Sequence, residues 1–242
     1  FGNLARMTGQ ICRYAPSDAA LAHARAALAA LRTSASPEAR TPYQFALGFY
    51  LLWHGDLAEA EAELCTALAM SEQIGDIAQL ARCLAYLVIA HRRQGHVGEV
   101  ETVARRGLMA AEAARMFDYS GACLAGLAWV AWRGSSTSPN AGLAEAERLA
   151  QAALEAWQGH VLPYPFYWQA LWPLIGVSLA RERHADAMAH AQRLLDPRQQ
   201  LLPSDLARLV QAAVDAWGMG QAAPAIDRLR VALALAQQTH FS

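Results

Sequence analysis

Six small or slim residues recur along this chain at one place in a helix-like pattern: Ala20, Ala60, Val100, Ala146, Ala187 and Ala225. The steps between them are 40, 40, 46, 41 and 38 residues. A period of that length constrains the fold more tightly than any local propensity. Each repeat is one supersecondary unit that cannot bury its apolar face alone, so neighbours must stack. The expectation is an all-α chain of stacked helical hairpins. Composition agrees, because the 55% hydrophobic content is inflated by alanine, the strongest intrinsic helix former.

The clearest copy reads Gln44, Leu47-Gly48, Leu51, then Gly55-Asp56-Leu57-Ala58-Glu59-Ala60, Leu64 and Ala67. It resembles the tetratricopeptide repeat, whose two helices pack through small residues, here Gly48, Ala60 and Ala67. Gln44 and Leu64 stand where that family carries aromatics. Around Gly95 the small positions become Val88, Val100 and Gly107; near Glu182 the turn glycine is missing, and Pro224 enters the last turn. The period exceeds the family's usual ~34 residues and is similar to the elongated repeats of bacterial signalling ATPases. The resemblance implies a right-handed α-solenoid, or superhelix, of about six hairpins, with the first helix of each pair on the concave side. The hairpins fall near 1–34, 36–74, 76–116, 117–158, 163–197 and 203–240, one array across 1–242.

Local signals give about twelve helices. Ser36-Pro37 and Thr41-Pro42 each offer a cap followed by a first-turn proline, so the helix ending near Trp53 starts at one of them. Asp56 caps the next helix, and Gly75-Asp76 stops it and caps its successor. A poorer helix is expected near 4–14, and 134–141 reads as an irregular surface loop. The stretch 156–180 has no Asp, Glu or Arg, but Pro163, Pro165 and Pro173 interrupt it, which favours a buried helix over a membrane span. The chain does not begin with Met and shows no signal peptide. It reads as a cytoplasmic segment excised from a longer protein.

Charge and motif spacing exclude several function classes. The net charge is −1 and all 20 basic residues are arginine, leaving no basic footprint for nucleic acid. No glycine-rich phosphate loop is followed by the lysine it needs. The eight histidines form no pair at the one-turn spacing of a helical metal site, so no metal and no cofactor is expected. No serine sits in a nucleophile elbow, so no catalytic residue is assigned and the segment is read as non-enzymatic. Cys12, Cys65, Cys83 and Cys123 lack metal-motif spacing and read as buried reduced thiols. Glu59, Glu61 and Glu63 read as a solvated helix face.

Aromatic placement carries the functional expectation. Six of the seven tryptophans fall in first helices of hairpins: Trp53, Trp129, Trp132, Trp168, Trp172 and Trp217. In the geometry the resemblance implies, the concave positions are Phe45, Phe49, Trp53, Arg82, Ile89, Arg92, Arg93, Trp132, Trp172 and Trp217. Such a groove suits an extended peptide or an anionic, partly apolar ligand. The competing reading makes the same stripe core, with the arginines paired to Glu99 and Glu101. The leading expectation is a protein–protein interaction or regulatory scaffold, the repeat region of a signalling ATPase or transcriptional regulator. Any ATPase, cyclase or DNA-binding activity would lie outside it. The alternative is a peptide or small-molecule sensor using the groove. Self-association is a third, through the apolar stripe Ile226, Leu229, Leu233 and Ala236 of the last helix. The chaperone-tail clamp of some tetratricopeptide proteins is disfavoured, because it needs lysines and asparagines that the groove helices lack.

Overall fold

The computed structural model describes residues 13–31, 36–134, 139–158 and 164–242, and they contain eleven helices and no strand. The chain divides into two compact units, 1–123 and 124–242. In the first unit lie α1 (Asp18–Leu31), α2 (Pro37–His54), α3 (Leu57–Ile74), α4 (Ile77–Gln94), α5 (Val97–Ala113) and the start of α6 (Phe117–Gly134). The rest of α6 falls in the second unit, with α7 (Pro139–Ala156), α8 (Trp168–Ala180), α9 (His184–Leu194), α10 (Ser204–Gly218) and α11 (Ala222–Gln238). The expected helix near 4–14 and Cys12 lie outside the described residues.

Helix starts and stops in the first unit follow local chemistry except at Asp56, which was expected to cap α3 but makes no side-chain capping bond and pairs with His54 instead. Ser36, not Thr41, caps α2: its hydroxyl accepts from Ala39 N–H at 3.4 Å, and Pro42 is carried inside the helix. At the far ends of α2, α3, α4 and α5 the amide two residues past the last turn reaches back across it. Asp56 N–H donates to Leu51 C=O at 3.0 Å, Asp76 to Ser71 at 3.0 Å, His96 to His91 at 3.0 Å and Met116 to Ala111 at 2.8 Å. These six-to-one bonds are Schellman closures that satisfy otherwise orphaned carbonyls. They recur every 20 residues, so helix plus turn is one half-repeat and the 40-residue period follows.

Each closure needs one residue in the left-handed region. Gly95 supplies it at φ 79°, where a Cβ would be strained. At the α8–α9 turn of the second unit the glycine is absent, as the sequence foretold, and Glu182 itself takes φ 57°. Arg183 N–H still closes onto Ser178 C=O at 2.8 Å, so the turn survives at a cost of about 1–2 kcal/mol.

Consecutive helices pack on one another, and the repeating small residues mark the crossings. Ala60, Val100, Ala146, Ala187 and Ala225 are fully buried, whereas Ala20 on α1 is only partly covered. At Gly48 an added Cβ would lie 2.8 Å from Leu64 Cγ, and at Gly107 it would lie 2.7 Å from Cys123 Sγ. Close backbone approach is thus the reason for these residues. Leu64 is itself sealed between α2 and α3, and a buried leucine of this kind stabilises by roughly 1.5–3 kcal/mol.

The second unit is built around α8, in which every residue from Trp168 to Leu179 is buried. Pro173 lies inside this helix rather than interrupting it. No helix of the described residues is long and apolar enough to cross a membrane. Pro139, expected in a loop, opens α7, as proline's fixed φ permits in a first turn. Residues 199–200 clasp the entry to α8. Gln199 Oε1 accepts from Tyr167 N–H at 2.8 Å and its amide donates to Tyr164 C=O at 2.9 Å. Gln200 Oε1 accepts from Trp168 Nε1–H at 2.8 Å. The stripe on α11 is already covered: Ile226, Leu229 and Ala236 are buried, with α11 packed on α10 and α8. Leu233, the fourth residue of the stripe, stays partly exposed.

Candidate functional site

Three of the expected groove residues meet in the first unit. Phe45, Phe49 and Trp53 follow one another at one-turn spacing on α2, which puts them on one helix face. Tyr86 of α4 stands against all three, with ring centroids 5.4, 5.1 and 6.4 Å away, each in an edge-to-face arrangement. Tyr119 continues the row from α6 at 6.2 Å, and Tyr50 and Tyr14 meet Phe49 at 6.0 and 6.2 Å. Edge-to-face pairs suit the ring quadrupole and add about 0.5–1.5 kcal/mol each beyond burial. Tyr86 and Trp53 are buried, while Phe45, Phe49, Tyr50 and Tyr119 stay partly exposed. The result is a rigid aromatic surface with a covered centre and an open margin.

The remaining expected positions fall elsewhere. Ile89 and Arg92 are buried, because α4 is covered by α2, α3 and α5. Burial drives the Arg92 guanidinium well below its usual proton affinity, and Arg93, partly exposed, is lowered for the same reason. Arg82 is partly exposed and donates to Gln79 Oε1 at 3.3 Å. Glu101, an expected partner of these arginines, binds Arg105 at 2.8 Å. In the second unit Trp172 is fully enclosed and Trp132 is buried, whereas Trp217 on α10 keeps some exposure. For Ile89, Arg92, Trp132 and Trp172, the core reading of the stripe is the correct one.

Polar clusters occur where helices of the first unit turn. His54 Nδ1 pairs with Asp56 at 2.8 Å and Nε2 with Asp18 at 2.9 Å. The two carboxylates, Asp18 first, raise the imidazole above its usual proton affinity. They border a cleft of about 510 Å³ with Leu21, Arg25 and Glu59. Arg25 binds Glu59 at 2.5 Å, and Arg106 binds Glu72, each linking successive second helices. Glu63 accepts from the buried Gln44, so the presumed solvated face is partly engaged. Cys65 is exposed, contrary to expectation, whereas Cys83 and Cys123 are buried and their thiols are pushed up to about 11 and about 12.

One grouping of metal-ligating type occurs among the described residues: Glu61, His91 and His96. Sequence reasoning missed it by testing only for histidines one helical turn apart. The available signal was the turn sequence, Gly55-Asp56 and Gly75-Asp76 but then Gly95-His96. A search of known proteins adds no assignment: no family model and no curated protein matches the chain.

Proposed function

We propose that this chain is a non-enzymatic interaction scaffold of the tetratricopeptide-like class, and that the aromatic surface of α2, α4 and α6 is where it takes a protein or peptide partner. The observation that carries this is the half-open ring cluster around Tyr86, with Phe45, Phe49, Tyr50 and Tyr119 at its margin. Rigid aromatic anchors with little side-chain freedom are the groups that dominate protein interfaces. Covering one such ring contributes ~1.5–3 kcal/mol, so three at the upper end of that range reach the ~8 kcal/mol of a micromolar complex. Arg82 and Arg93 border the same helix and favour a partner segment that combines apolar and acidic residues. The 40-residue period and the Gly-Asp turns support a parent protein of the bacterial signalling-ATPase kind, a cytoplasmic setting and a regulatory role for the segment.

Phage selection of peptides on the purified chain tests the reading. Enriched peptides should bind by calorimetry, and Phe45→Ser with Phe49→Ser should weaken them at least ~10-fold while the helical circular-dichroism signal is retained. Peptides whose affinity ignores both changes would remove the surface as the partner site. The sensor alternative loses Arg92 and Ile89 from its groove, since both are buried, so the scaffold is preferred.

A further inference from the structure

The turn joining α4 to α5 carries His96 where the two turns before it carry Asp56 and Asp76. At the equivalent turn one half-repeat earlier, Asp76 caps its helix by accepting from Gln79 N–H at 2.9 Å. His96 occupies that position before α5 and makes no side-chain capping bond. Its imidazole instead stands beside that of His91, ring centroids 6.0 Å apart. Two histidines five residues apart on one straight helix point to different faces. Here left-handed Gly95, at φ 79°, folds the chain back between them, and His96 N–H donates to His91 C=O at 3.0 Å. The turn therefore brings both rings to one side.

Glu61, from the first turns of α3, closes the third side. Its Oε2 lies 3.8 Å from His91 Nδ1, too far for a hydrogen bond. The three potential donor atoms all lie within 4.8 Å of one another. His91 is the informative member: its side chain is only 9% exposed, and its Nδ1 is buried with no hydrogen-bond partner. Buried polar atoms are almost always satisfied, so an unsatisfied nitrogen aimed at a carboxylate points to a missing cation. Glu61 is in turn oriented by Gln94, whose amide donates to the same Oε2 at 2.7 Å. The α4 carbonyl end adds negative potential near His91.

We infer that Glu61, His91 and His96 form a binding site for a borderline divalent transition metal, zinc being the representative. Two imidazoles and a carboxylate are the donor set of three-ligand zinc sites, which leave a fourth position to water. Bonds of about 2.0–2.1 Å at tetrahedral angles put donors roughly 3.4 Å apart. His91 and Glu61 already stand near that spacing, and the exposed His96 supplies the remaining movement by rotation. Nitrogen donors disfavour magnesium and calcium, which take oxygen. The ion would tie together α3, α4 and the start of α5, so it would raise the stability of this hairpin as any native-state ligand does. This site is separate from the aromatic surface and stands or falls independently of it.

The test is calorimetric titration of zinc into the chelator-treated chain, with cobalt absorption as the spectroscopic readout. One equivalent should bind saturably, cobalt should give the visible bands of a four-coordinate ion, and the thermal midpoint should rise with zinc but not with magnesium. His96→Ala, an exposed change that should leave the fold intact, and Glu61→Gln should each weaken binding roughly 10-fold or more, and Gln94→Ala about 10-fold. His23→Ala, at an exposed histidine of α1, should change nothing. Should His91→Gln fail to fold, His96→Ala and Glu61→Gln still decide the question. Absence of saturable binding, or zinc affinity equal in wild type, His96→Ala and Glu61→Gln, would overturn the assignment.

Discussion

In the first unit the aromatics of the first helices meet edge to face with Phe45, Phe49 and Tyr50 still partly exposed, whereas in the second Trp129, Trp157, Trp168 and Trp172 are all but sealed from solvent. The hairpins are alike; what fills their crossings is not. In the first unit the glycines at the crossings face aliphatic or sulfur groups: Gly48 lies against Leu64, and Gly107 against Cys123 and Leu84. Those small contacts fill the space between helices, so the rings stand at the margin. In the second unit Gly176 faces the indole of Trp132. There the ring itself is the filling between α6 and α8. One position in the hairpin can thus yield a surface or a core, according to which side of the glycine the aromatic occupies.

On that contrast, removing a ring should cost far more in the second unit. Trp172→Ala, at a fully buried position, should destabilise by about 3–5 kcal/mol through lost burial and a residual cavity. Urea unfolding followed by circular dichroism measures it. The matching change Phe49→Ala should cost about 1.5 kcal/mol, and equal losses would break the comparison. Next in size is Gly176→Ala. Its Cβ would collide with the Trp132 ring, a rigid body without a flexible end to yield, and overpacking of that kind costs about 1–3 kcal/mol. Gly48→Ala meets the end of Leu64, which can change rotamer, and should cost about 1 kcal/mol.

The parts of this structure that depend on one or two neighbours were legible in the sequence. Asp76 caps, Gly95 turns left-handed, and Ala60 and Val100 lie buried, because each needs only a local turn or one helix crossing. The missing glycine near Glu182 was also visible; that the turn would persist with Glu182 in the left-handed region was not. Arg92 was misplaced because repeat alignment gives register along α4 but not how many helices cover it, and three do. Cys65 fails in the opposite sense: an apolar pattern around it suggested burial, yet α3 leaves it exposed. The Glu61–His91–His96 grouping needs three segments at once. Its two histidines approach only through a backbone reversal, so helical periodicity conceals the pair.

The smallest predicted effect concerns the turn that keeps its aspartate. At the α2–α3 turn His54 is gripped by Asp18 and Asp56, whereas at the α4–α5 turn His91 is buried beside one carboxylate 3.8 Å away. Carboxylate contacts raise the first imidazole and burial lowers the second, so acid should act on them in opposite senses. A raised folded value means that folding takes up protons at His54. Its contribution is complete below the unfolded value of about 6.5 and is lost as pH rises through the folded value. His91 does the reverse, because protonating a buried imidazole favours the unfolded chain. The full pH curve mixes both, so the quantity to measure is the difference in thermal midpoint between wild type and His54→Gln. That difference should be largest near pH 5 to 6 and shrink towards alkaline pH. Asp18→Asn should reduce it at every pH where it exists. A difference that grows with pH would mean that the Asp18 and Asp56 contacts do not hold the charged ring.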